Sequence, residues 1–140
     1  MIAFFDSSAL IYLIEAKDPF ASKVRTELAA LVKKHPELGV GLSRLTWLEC
    51  RVGPMKSNDN ASLAAFDKFF VRTDLVWVEM SKEVVELAAA IRVRHGLKTP
   101  DCLQAASCLQ LGDAHLFLTG DATFKRVSGL NVKVFTQDSL

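Results

Sequence analysis

The chain has 140 residues, half of them hydrophobic, with 17 basic and 16 acidic side chains and a formal net charge of +1. That balance excludes a disordered chain, and it excludes attraction to nucleic acid through bulk charge, so any basic surface must be local. The three cysteines, Cys50, Cys102 and Cys108, form no CxxC pair, and no stretch reaches the roughly 18 uncharged apolar residues of a membrane span.

The first apolar run, Ile2–Phe5, stops at Asp6, too early for a signal peptide. Ser7 and Ser8 follow and are placed to cap the next helix. Asp18 and Pro19 open a second helix with Val24, Leu28 and Leu31 on one stripe. A strand over Val40–Leu42 leads to Ser43, a cap for a helix through SRLTWLECRV. There Leu45, Leu48 and Val52 read as the apolar stripe, with Glu49 beside it. Gly53–Asn60 holds Gly, Pro, Ser and two Asn, and reads as a turn or flexible arm. Leu63, Phe66 and Phe70 mark the next helix, and Leu75–Glu79 the next strand. Ser81 caps a helix carrying Val84, Leu87 and Ile91; Thr99-Pro100 opens another, which Gly112 ends. Strands His115–Leu118 and Val132–Phe135 complete the pattern.

Apolar strands without alternation, interleaved with helices, predict a parallel sheet covered on both faces. The expectation is one α/β domain over residues 1–140, cytoplasmic, with its cysteines as buried free thiols. In such sheets ligands bind beyond the carboxyl ends of the strands. Asp6 stands at one such end and Asp121, in FLTGDATF, at another. Asp101 lies in the first turn of the helix after Thr99-Pro100, on the face of the small residues Ala105 and Cys108. Each acid has a plainer reading: a turn or cap for Asp121, a helix-dipole partner for Asp101, a charge at the core's edge for Glu49. Convergence of all four would need a cation, and oxygen-only ligation favours Mg²⁺ or Mn²⁺ over zinc.

The stretches FFDSSALIYLIE, LTWLECR, KTPDCLQAASCLQLGDAHLFLTGDATF and GLNVKVF resemble, in order and across almost the whole chain, the PIN-domain proteins, specifically the VapC-type ribonuclease toxins of toxin–antitoxin pairs. The resemblance implies a three-layer α/β/α sandwich around a central parallel five-stranded sheet. It implies that Asp6, Glu49, Asp101 and Asp121 are the metal-binding catalytic acids, with Ser8 and Thr119 as accessory hydroxyls. It further implies a Mg²⁺- or Mn²⁺-dependent endoribonuclease using a metal-activated water, a homodimer, and a cognate antitoxin that places a basic side chain near the acids.

Arg51, Lys98, Lys125 and Arg126 each lie near one of these acids in sequence and are candidates to hold an RNA backbone; as single residues they read equally well as solvated charges. Trp47 and Tyr12 read as packing or dimer-contact residues. The histidines His35, His95 and His115 are scattered without metal-ligand spacing. Two alternatives stay open: a PIN-like RNA- or protein-binding module without activity, and a stand-alone RNA-processing nuclease without an antitoxin.

Overall fold

A computed structural model describes residues 1–137. Strand β1 (Ile2–Phe5) is the centre of the sheet, since its four residues are apolar on both faces and need cover on each. The chain continues through α1 (Ser7–Ile14), α2 (Phe20–Lys34), β2 (Gly39–Ser43), α3 (Arg44–Ser57), α4 (Asn60–Phe70) and β3 (Leu75–Val78). Then follow α5 (Lys82–His95), α6 (Thr99–Gln110), β4 (His115–Thr119), a short 3₁₀ turn over Ala122–Arg126 and β5 (Val132–Val134). The five strands are parallel in the order β3-β2-β1-β4-β5. Phe4 lies beside Gly41 on one side and Phe117 on the other.

Successive β1 side chains point to opposite faces, and each face has its own core. Ala3, Phe5, Leu42 and Leu118 pack beneath α1, α2 and α4 with Leu10, Val24, Leu31 and Phe66. Phe4 and Phe117 pack on the other face against α5 and α6 with Val84, Ile91, Ala105 and Cys108. The three-layer α/β/α sandwich around a five-stranded parallel sheet is therefore the observed architecture. Connections run from β1 outward through β2 to β3, then cross back to β4 on the other side of β1. This reversal opens a crevice at the carboxyl ends of β1 and β4, the usual ligand position in open α/β sheets. No helix among the described residues is long and apolar enough to cross a membrane.

The predicted strands all form, within a residue or two at their ends. Ser43 and Ser81 cap α3 and α5 by accepting from Leu45 N–H and Val84 N–H, and Gly112, at φ 68°, stands just past α6. Three expectations are corrected. Gly53–Ser57 is the last part of α3, not a turn or arm: Pro54 is buried inside the helix, and Asn58 closes it in the left-handed conformation, φ 54°. Burial of the proline ring against the core outweighs its missing N–H here, and only Asn58 and Asp59 form the break. The buried stripe of α3 is Thr46, Cys50 and Pro54, whereas Leu48 is 52% and Val52 39% exposed. Periodicity marked a helical stripe, but Leu48 and Val52 face outward beside Trp47 and Met55, and Leu45 is half-buried. Finally, Asp6 rather than Ser7 or Ser8 caps α1, accepting from Ser7 N–H at 2.9 Å.

Candidate functional site

Asp6 leaves the end of β1 and is buried, 7% exposed. One of its oxygens, Oδ1, caps α1; the other, Oδ2, accepts from Thr119 Oγ1 at 2.7 Å and from Ser8 Oγ at 3.0 Å. Both hydroxyls are themselves held by the loop after β4. Thr119 Oγ1 accepts from Asp121 N–H at 3.0 Å, and Ser8 Oγ from Gly120 N–H at 2.9 Å. Two strand ends are thus stitched together by the pair of hydroxyls. Burial pushes the Asp6 carboxyl up to about 6, against the pull of these hydrogen bonds, and the charge of Glu49 adds to the rise.

Glu49 reaches the same region from α3. Its Oε1 accepts from Ser7 Oγ at 2.7 Å and from Gln104 Nε2 at 2.9 Å. Asp101 sits in the first turn of α6. Its carboxyl is raised by burial, then by the charges of Asp121 and Glu49, with Lys98 opposing. Asp121 Oδ1 caps the 3₁₀ turn through Thr123 N–H at 2.9 Å and Thr123 Oγ1 at 2.8 Å. Asp101 and Asp121 line one cleft of ≈ 240 Å³ with Lys98, Thr123 and Arg126. The structure therefore brings the four acids to one end of the sheet, with Glu49 electrostatically linked to both Asp6 and Asp101.

A set made only of carboxylates suits a hard divalent ion that keeps some of its waters. Asp6, whose oxygens already accept three protein hydrogen bonds, retains lone-pair capacity for one such ion. Among the described residues no three acid, histidine or cysteine side chains stand at ligand spacing. Asp101 and Asp121 border the cleft, and the four acids do not form a closed cage. A larger hollow, ≈ 340 Å³, lies between α2 and the β5 edge; its acid, Glu27, pairs with Lys133 at 3.5 Å.

The PIN domain family model matches residues 3–130. The chain belongs to the PIN domain family. Solved structures similar to this PIN domain include VapBC2 from Rickettsia felis bound to a DNA fragment from its promoter (TM-score 0.76, 17% identity, 96% of this chain and 98% of that one). DNA-bound VapBC from Salmonella typhimurium gives TM-score 0.74 at 17% identity, with 96% and 98% of the two chains covered. VapBC-1 from nontypeable Haemophilus influenzae gives 0.72 at 20%, with the same coverage. No curated protein matches the chain.

Of the basic candidates in this PIN domain, Lys98 and Arg126 line the cleft with Asp101 and Asp121. Arg51 is instead paired with Asp67 on α4 and stacked over Trp47 at 4.8 Å, and Lys125 is exposed within the 3₁₀ turn. Three neighbours of the acids escaped sequence reading. The sequence suggests a helix cap for Ser7 and singles out neither Thr46 nor Gln104. A glutamine and two hydroxyls carry no motif; only the apposition of α1, α3 and α6 gives them a common meaning. Gly120 is the fourth, because a Cβ there would run into the Tyr12 ring, whose Cε2 lies 2.9 Å away.

Proposed function

We propose that this PIN domain is a Mg²⁺- or Mn²⁺-dependent endoribonuclease, the toxin of a VapBC-type toxin–antitoxin pair. The observation that carries the reading is the gathering of Asp6, Glu49, Asp101 and Asp121 at the carboxyl ends of β1 and β4, on a backbone like that of proteins solved as VapBC complexes. In this reading the four carboxylates hold one or two ions, which when bound supply Lewis-acid activation of a water and of the scissile phosphate. Ser8 and Thr119 keep Asp6 in a single rotamer, so that its oxygens are aimed before any ion arrives. Lys98 and Arg126 stand on the cleft wall, where an RNA phosphate next to the reacting one would lie. An antitoxin would inhibit by placing a cationic side chain among acids that already repel one another. The partners proposed are RNA, such an antitoxin and a second copy of the chain, in the cytoplasm.

Purified protein should cleave RNA with Mg²⁺ or Mn²⁺ and stop when the ion is chelated. Asp101→Asn should lower the rate at least about 100-fold, the scale seen when one electrostatic stabiliser of a transition state is removed. The fold should survive, because Asp101 makes no hydrogen bond to another described residue through its carboxylate. Cleavage by Asp101→Asn at the wild-type rate would refute the assignment of the site. Induction in cells without a partner should arrest growth, and Asp6→Asn should not. Absence of both arrest and cleavage would leave a binding module, and cleavage without arrest a processing nuclease.

A further inference from the structure

Gln104 stands one turn after Asp101 on α6 and is 1% exposed. Its Nε2 lies 2.9 Å from Glu49 Oε1, 2.9 Å from Thr46 Oγ1 and 3.1 Å from Ser7 Oγ. Ser7 Oγ in turn donates to Glu49 Oε1 at 2.7 Å and lies 3.2 Å from Thr46 Oγ1. One amide therefore joins α1, α3 and α6, the three helices that carry or adjoin Asp6, Glu49 and Asp101.

An ionised carboxylate only accepts, so the amide must turn its NH₂ toward Glu49. The consequence is visible at its other end, where Gln104 Oε1 is buried without a hydrogen-bond partner. Buried polar atoms are rarely left so, and a leucine or methionine would fill the same space without the orphan. A polar residue kept here against its own burial preference points to a task at the site. The task is legible in Glu49, whose Oε1 receives two donors while Oε2 takes no hydrogen bond from the described residues.

We propose that Gln104 is a positioning residue that locks Glu49 through Oε1 and so presents Oε2 to the divalent ion. The inference rests on the metal-dependent reading above. Without the amide, half-buried Glu49 is a flexible side chain tethered by one serine. Ligand-orienting hydrogen bonds of this kind are typically worth about 10–100-fold in metal affinity.

The test is Mn²⁺ binding to the metal-free protein, followed by calorimetric titration and by the paramagnetic signal of free Mn²⁺, with melting temperature as the measure of fold. Gln104→Met should fold with an undiminished melting temperature and bind Mn²⁺ about 10–100-fold more weakly. Gln104→Asn, whose amide is drawn back by one methylene, should fall in the same direction and serves if the methionine variant does not fold. In a Glu49→Gln background either substitution should produce no further loss, because the amide acts through that carboxylate. A folded Gln104 variant with the wild-type Mn²⁺ affinity overturns the inference alone. So does a loss that persists undiminished in Glu49→Gln. Wild-type protein that binds no Mn²⁺ overturns the metal-dependent reading and this inference with it.

Discussion

Asp6 is held by one amide and two hydroxyls, yet burial still raises its carboxyl to about 6. A carboxyl whose folded value lies above its unfolded one contributes stability that is complete below the unfolded value, near 3.8, and is lost as pH rises through 6. Metal-free Asp6→Asn escapes that loss, since its amide carries no charge and the hydroxyls of Ser8 and Thr119 can turn to accept. The stability of the variant relative to wild type should therefore grow between pH 4 and pH 8 by on the order of 2–3 kcal/mol. Urea unfolding at the two pH values, with chelator present, measures it. An equal difference at both would show that Asp6 is not the strained acid. The same residue illustrates what a sequence conveys. Its strand-end position was readable from four apolar neighbours, and the family resemblance named Ser8 and Thr119 beside it, but that both hydroxyls bond the same Asp6 oxygen from opposite ends of the chain shows only in the fold.

At the level of elements, α3 decides how far hydrophobic periodicity can be trusted. Leu45, Leu48 and Val52 make a helical stripe, yet the helix turns Leu48 and Val52 outward because Thr46, Cys50 and Pro54 are the side chains it buries. Leu48→Ala should thus change stability by less than about 0.5 kcal/mol, as exposed substitutions do. Phe66→Ala on α4, fully buried, should cost about 3–5 kcal/mol. A Leu48→Ala loss comparable to that of Phe66→Ala would return the leucine to the core. Strands, caps and the parallel sheet were readable because each rests on local apolar runs and on Ser43, Ser81 and Gly112. The facing of α3 was not, since it depends on which neighbours the helix meets. A second element-level contact joins α1 to the loop after β4, where Tyr12, stacked on Phe20 at 4.5 Å, lies over Gly120. Gly120→Ala should destabilise by about 1–3 kcal/mol through that collision, and Tyr12→Ala should remove most of the penalty when the two are combined. Additive losses would mean that the glycine is needed for some other reason.

For the whole molecule, the net charge of +1 limits how RNA can be held. The acids at the carboxyl ends of β1 and β4 repel a phosphate chain until cations compensate them, and the cleft offers Lys98 and Arg126 as its basic side chains. Arg51 is already committed to Asp67 and Trp47. Binding of a short single-stranded RNA by the proposed nuclease should accordingly release few counterions. With two phosphate contacts, log K against log salt should have a slope near −1.4, at about −0.7 per contact for single strands. Lys98→Gln should flatten the slope by about 0.7 and weaken binding to all sequences alike, because a lysine on a phosphate reads no base. Fluorescence anisotropy at several salt concentrations, with Ca²⁺ in place of Mg²⁺ to slow cleavage, gives both numbers. A wild-type slope steeper than about −3 would require at least four phosphate contacts. The cleft would then be only part of the RNA surface, and the remaining cations would have to come from elsewhere on this chain or from a second copy of it.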